Sequence, residues 1–163
     1  MTMIIDGTNG LTFNNSTTQA SAGVVLQVVQ GTYSTQVSSS SSTYADTGLT
    51  ATITPKFATS KILVSVVHTA CNKSNSDTFL TLRLLRGASS IAVFETAGGY
   101  TGNASPIYFG ACGIDYLDSP ATTSSCTYKV RYKANTAGTV YFNNYITTNG
   151  NTGSTITLME IAG

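Results

Sequence analysis

Charge is the scarcest property of this sequence. Only 9% of its 163 residues are charged and its formal net charge is +1, whereas soluble domains carry about 25% charged residues. A chain with so few charges offers no basic surface of the size that attracts nucleic acids or anionic membranes. We therefore expect no nucleic-acid partner, no membrane insertion, and a surface of neutral hydroxyl and amide side chains.

Residues that build catalytic and metal sites are also few. The sequence has one histidine, His68, and three cysteines, Cys71, Cys112 and Cys126, without a Cys-x-x-Cys pair or a glycine-rich phosphate loop. A lone histidine in mid-strand is more often packed than catalytic, and cysteines without a pairing pattern are typical of buried free thiols. The sequence therefore predicts no cofactor, no metal ion and no catalytic residue.

One enzymatic alternative stays open. Asp115 and Asp118 lie three residues apart at the end of a predicted strand, and glycoside hydrolysis uses two positioned carboxyl groups. A glycan-processing enzyme is therefore kept as a third hypothesis, behind two non-enzymatic ones.

Targeting signals are missing as well. The N-terminus MTMIIDG has no basic region followed by an apolar core, and no apolar run approaches the ~18 residues that a membrane-spanning helix needs. We expect synthesis in the cytoplasm of the producing cell, without a signal peptide.

Alternation of apolar and polar residues is what the sequence has in abundance. The stretch from Leu49 to Thr69 shows it best, because Ile62, Val64 and Val66 fall on one face with His68. Similar segments recur roughly every 8–15 residues with turn signals between them and no helical period. The sequence predicts an all-β fold, an antiparallel β-sandwich of eight or nine strands over residues 24–163.

One segment is compatible with both a helix and a strand. TFLTLRLLRG (78–87) is leucine-rich enough for a helix, but Gly87 ends it early and IAVFE follows, so we predict the first strand of a hairpin.

Glycine inside a strand indicates a bend or a close backbone contact. We expect a kink at Gly31 and bends or close packing at Gly110 and Gly113.

Residues 1–23 differ from the rest. They are small and polar with isolated apolar positions, and they show no helical period. Such a segment buries little surface alone, so we predict an extended arm that docks on a neighbouring protein. Its anchors would be Ile4, Ile5, Leu11 and Phe13.

Two strand faces raise questions of partnership. Cys126–Lys133 alternates so strictly that Lys129, Arg131 and Lys133, three of the eight basic residues, share one face. This face is either a stripe that binds anions or a solvated surface that discourages edge pairing.

Several strands are apolar on both faces, although the outside of a two-layer sandwich should be polar. A second apolar face indicates burial against copies of the same chain, with closed cyclic symmetry. The residues that this argument assigns to self-association are Tyr141, Tyr145, Met159 and Ile161.

Four segments resemble small virion proteins of tailed bacteriophages, particularly cyanophage-like ones: IIDGTNGLTFNNSTTQASAG, TYADTGLTATITPKFATSKILV, YLDSPATT and STITLMEIAG. The phrase from Phe13 to Ala20 is similar to one that precedes terminal modules of phage tail fibres, although Asn14-Asn15 replaces the usual turn. The resemblance implies a homotrimeric jelly roll, similar in architecture to tumour-necrosis-factor-like heads. It also implies attachment to other virion proteins, of the capsid or the tail, through the N-terminal arm.

Two roles on the virion compete. A capsid decoration or cement protein would need only the arm and the trimer, and the absence of a coiled-coil shaft before the sandwich favours this role. A receptor-binding tail-fibre tip would instead contact a host surface glycan through its loops. Neutral amides and aromatic rings suit sugars, so Tyr100, Asn103 and Asn151 are the predicted contacts.

Overall fold

The computed structural model describes residues 4–6, 10–12, 18–19, 24–102, 107–135, 138–144 and 153–163. The secondary structure of these residues is entirely β. Nowhere in them is there a helix long and apolar enough to cross a membrane.

Three short strands lie in the N-terminal arm: β1 (Ile4–Asp6), β2 (Gly10–Thr12) and β3 (Thr18–Gln19). They pair in order as an antiparallel meander, with Ile5 opposite Leu11 and Leu11 opposite Gln19. The described residues of the arm therefore pair with one another as short strands. Phe13 lies outside the described residues, and the docking role of Ile4, Ile5 and Leu11 stays a prediction.

The remaining strands form two antiparallel sheets, which we call sheet 1 and sheet 2. Sheet 1 contains β4 (Val25–Tyr33), β5 (Val37–Ser39), β7 (Lys61–Lys73), β10 (Ile107–Asp118), β12 (Val140–Phe142) and β13 (Ser154–Ile161). Sheet 2 contains β6 (Ala45–Ile53), β8 (Leu80–Arg86), β9 (Ser89–Gly98) and β11 (Cys126–Ala134).

The connectivity is that of a jelly roll. In sheet 1, β12 and β13 pair with successive parts of β7, and β5 and β4 pair with β12 and β13. Strands β4 and β5 together therefore occupy one strand position, and β12 and β13 together occupy another. Counting eight positions along the chain, the sheets have the orders 1-8-3-6 and 2-7-4-5, which is the double Greek key of a jelly roll. The predicted antiparallel sandwich is confirmed.

The core lies between the sheets, and strand alternation fills it from both sides. On β7, Ile62, Val64, Val66 and His68 are each at most 1% exposed, and the inward face predicted for β11 is confirmed by a fully buried Tyr128. Each buried aliphatic side chain contributes about 1.5–3 kcal/mol. The same alternation places every second residue of these strands on the outer faces of the two sheets.

The leucine-rich segment is a strand, as predicted. Leu80, Leu82 and Leu84 of β8 point into the core and are fully buried, and β8 forms an antiparallel hairpin with β9. Gly87 at the turn has a φ of +59°, a conformation that glycine adopts without steric cost.

The prediction at Gly31 was wrong in kind. Strand β4 runs through Gly31 in unbroken register with Ile156 of β13, so the residue marks no kink. A Cβ at this position would lie 2.1 Å from the carbonyl oxygen of Thr50, because β4 passes very close to β6. By contrast, the expected irregularity of β10 is confirmed, since its register with β7 shifts on both sides of Gly110.

Candidate functional site

A histidine–serine–asparagine cluster lies in the core rather than in a cleft. His68 Nδ1 is 3.2 Å from Ser154 Oγ, and that hydroxyl donates to Asn143 Oδ1 at 2.7 Å. Because the Ser154 proton is used in this way, His68 Nδ1 is the donor. All three side chains are buried, and burial lowers the pKa of His68 to about 3. The cluster links β7, β13 and the residue that follows β12 within sheet 1.

The two aspartates of the glycosidase hypothesis do not form a pair. Asp115 is exposed on the outer face of β10. Asp118 is buried at the strand end, where it accepts hydrogen bonds of 2.6 Å from Arg86 and from the Tyr128 hydroxyl. This contact raises the pKa of Arg86. Asp118 is therefore an internal ion-pair partner that joins β10 to sheet 2.

The described part of the chain contains neither a cluster of metal ligands nor a disulfide bond. No group of three His, Cys, Asp or Glu side chains there is close enough to hold a metal ion. The three cysteines are free thiols, with Cys71 and Cys126 buried and Cys112 partly buried.

The outer face of sheet 2 carries half of the chain's basic residues. Lys129, Arg131 and Lys133 of β11 lie beside Arg83 of β8. Lys129 and Arg131 both bind Asp46, with N···O distances of 3.4 and 3.0 Å. The predicted basic stripe is thus real, but two of its three members are already paired.

The other two cations lie against an aromatic ring. The Arg83 guanidinium carbon is 3.8 Å from the centre of the Tyr44 ring, and Lys133 Nζ is 5.2 Å from it. Such cation–π contacts hold the ring in place without neutralising either charge. Within the described residues, neither Arg83 nor Lys133 has a carboxylate partner.

An open groove of about 590 Å³ begins at this ring, and we call it the sheet-2 groove. Its polar lining includes Lys133, Thr81 and Thr96, and its aromatic lining consists of Tyr44 and Phe79. It combines apolar walls, hydroxyl groups and a cation, the mixture that small-molecule sites use to orient a ligand.

Tyr100, a predicted ligand contact, lies next to this groove. Its ring packs edge-on against Phe79 with 6.1 Å between centroids, and its hydroxyl donates to Asp77 at 3.2 Å. The side chain of Asn135 holds Phe79 in position by accepting its backbone N–H at 3.1 Å. The other predicted contacts, Asn103 and Asn151, lie outside the described residues.

The outer face of sheet 1 is different, because an apolar row crosses all four of its strand positions in register. We call this row the apolar stripe; it consists of Val28, Met159, Leu63 and Leu117. Val28 is 58% exposed and Leu117 49% exposed. With strands about 4.8 Å apart, the row is about 14 Å long. Ile161 extends the stripe on β13 beside Val25.

The residues predicted for self-association are divided by the structure. Met159 and Ile161 belong to the stripe or its margin, but Tyr141 pairs with Asn72 near the far end of β7, roughly 30 Å away along the strand. Tyr145 lies outside the described residues. The apolar stripe therefore contains only part of the predicted set.

Most residues of the sheet-2 groove escaped prediction. Lys133 of the lining was predicted as part of the basic stripe and Tyr100, beside the groove, as a ligand contact, whereas Tyr44 and Phe79 of the lining were not predicted. The missing signal is the pairing of β8 with β11, which brings Arg83 and Lys133 to neighbouring strands.

No protein-family model matches the sequence, and no curated protein sequence matches it either.

Proposed function

We propose that this protein is a non-enzymatic structural component of a bacteriophage virion surface, a homotrimeric jelly roll that self-associates through the apolar stripe. The observation that carries the proposal is the register of that stripe. Four apolar side chains from four strand positions form one continuous row on a face where the neighbouring row, from Gln30 to Asp115, is polar.

An exposed apolar row of this kind calls for a covering surface. Contiguous apolar patches on soluble proteins mark interaction sites, and a chain that covers its own patch does so by closed symmetry. The trimeric state and the virion location come from the sequence resemblance. The jelly-roll fold agrees with a virion location, since it recurs in viral capsid proteins.

The number of copies per particle tests the role on the virion. Quantitative mass spectrometry of purified particles should find the chain among the structural proteins. Several hundred copies per virion would identify a capsid decoration protein, and a few tens or fewer a tail-fibre module. Absence of the chain from purified particles would contradict the proposal.

The arm provides a second test. Deleting residues 1–23 should abolish attachment to particles, because the proposed docking contacts lie there, while the trimer remains folded. Attachment that survives the deletion would refute docking through the arm.

One observation favours host-glycan binding as a second function. The sheet-2 groove has aromatic walls and a hydroxyl-lined interior, and decoration of a capsid needs neither. We propose that the groove gives the trimer a receptor-binding role in addition to its structural one.

A further inference from the structure

We infer that the sheet-2 groove binds a carboxylate-bearing saccharide, and that Lys133 is the residue that receives the acid group. This inference deepens the proposed glycan recognition and rests on it. It specifies the charge of the ligand, because a site for neutral sugars does not need a cation.

The charge distribution supports an acidic ligand. On one side of the face, Asp46 pairs with both Lys129 and Arg131. On the groove side, Lys133 lines the cavity and Arg83 lies behind Tyr44, and the described residues supply neither with a carboxylate. In a chain whose net charge is only +1, two adjacent cations without an acid are a local exception. A carboxylate in the groove would give Lys133, which lines it, an ion-pair partner.

The shape and lining select a saccharide among acidic ligands. A groove of about 590 Å³ falls in the range of about 300–1,000 Å³ that small-molecule sites occupy. The Thr96 hydroxyl can both donate to and accept from sugar hydroxyls, whereas the Thr81 hydroxyl, which donates to the Thr96 carbonyl oxygen at 3.4 Å, can accept. The Tyr44 and Phe79 rings offer apolar walls to the C–H face of a pyranose. A nucleic acid would instead need a longer track of cations for successive phosphates.

The matched probes are trigalacturonate and its methyl ester, which share a sugar backbone and differ in charge. Isothermal titration of the full chain in about 20 mM NaCl, where screening is weak, should show the acid bound at least about tenfold more tightly than the ester, the gain typical of a hydrogen bond to a charged group.

Two lysines on the same strand face provide a matched pair of variants. Lys133→Met should reduce the affinity for trigalacturonate to that for the ester. Lys129→Met removes the same charge from a residue already paired with Asp46, and it should leave the affinity within about twofold of wild type. Tyr44→Ala should weaken both ligands, with thermal melting to confirm that the variant is folded.

The outcomes separate this inference from the function on which it rests. If the ester binds as tightly as the acid and both depend on Tyr44, the groove recognises sugars but the assignment of charge is wrong. Equal losses in Lys133→Met and Lys129→Met would also overturn the assignment, since binding would then follow overall charge. If neither probe binds, both the inference and glycan recognition by this groove fail. Self-association is unaffected in every case, because the apolar stripe lies on the other sheet.

Discussion

The two sheets of this jelly roll have similar inner faces and opposite outer faces. Inside, each sheet contributes aliphatic and aromatic side chains to one core. Outside, sheet 1 carries the apolar stripe, and sheet 2 carries an aromatic groove and four cations, two paired with Asp46 and two lying against the Tyr44 ring. Sheet 1 also contains the buried neutral cluster of His68, Ser154 and Asn143.

Under the two proposals, one fold separates two tasks on its two outer faces. The inner positions are occupied by what the core requires, so only the outer positions are free to differ. An uncharged apolar row suits contact with an identical row, whereas unpaired cations beside aromatic rings suit an acidic ligand. A substitution on one sheet should therefore leave the function of the other sheet unchanged.

The largest expected effect concerns acid and belongs to sheet 1. The pKa of His68 is about 3 in the folded protein and about 6.5 in a free side chain, so below about pH 6.5 the unfolded chain binds a proton that the folded chain does not. Stability should therefore fall as the pH decreases, by about 3 kcal/mol between pH 6.5 and pH 4 from this group alone. Urea unfolding across this range measures the slope.

The control for the acid effect is His68→Leu, which cannot titrate. The free energy of unfolding of the variant is measured at each pH, and only its change with pH is compared with that of the wild type. The loss of the hydrogen bond to Ser154 shifts all values equally and does not affect this slope. Removal of most of the wild-type slope is expected, and an unchanged slope would place the acid sensitivity elsewhere.

The next effect breaks the apolar face. Met159→Lys puts a charge in the middle of the apolar stripe, and burying an unpaired charge in an interface costs several kcal/mol. We expect self-association to weaken at least about 100-fold, measured by sedimentation equilibrium. The matched control is Thr157→Lys, which puts the same charge in the neighbouring polar row of β13. Equal effects of the two substitutions would mean that the stripe is not the interface.

Salt should sharpen the comparison without a mutation. Increasing NaCl from about 50 mM to about 500 mM shortens the screening length severalfold, so the affinity for trigalacturonate should fall about fivefold. The apolar stripe makes no charged contact in this account, and trimer formation should not weaken. Dissociation of the trimer in high salt would contradict this expectation, because it would mean that charged contacts hold the chains together.

The smallest effect adjusts the charge on sheet 2. Asp46→Asn releases Lys129 and Arg131 from partially exposed ion pairs, which contribute at most about 1 kcal/mol. Stability should therefore change little, while affinity for trigalacturonate should rise about two- to threefold as the local positive charge increases. A fall in affinity would show that Asp46 itself supports the ligand.

The strands were predictable because their signal is local. Alternation along β7, β11 and β13 identifies inward residues such as Val64 and Tyr128, since side chains on a strand change face at every residue. The same rule placed Met159 on an outer face correctly. It could not place Tyr141 far from Met159, because that separation depends on where β12 and β13 each pair with β7.

The groove was not predictable for the same reason. Tyr44, Arg83 and Lys133 are distant in sequence and meet only through the pairing of β8 with β11 and the approach of the segment before β6. Nothing in a single strand shows which cation will find a carboxylate. Lys129 and Lys133 look equivalent by alternation, yet only Lys129 reaches Asp46.

If the apolar stripe joins identical chains, the wild-type protein in solution has the mass of a trimer. Sedimentation equilibrium of the full chain at micromolar concentration should give three times the 17.0 kDa of one chain. A mass of 17.0 kDa at that concentration would contradict the account, because the stripe would then face water.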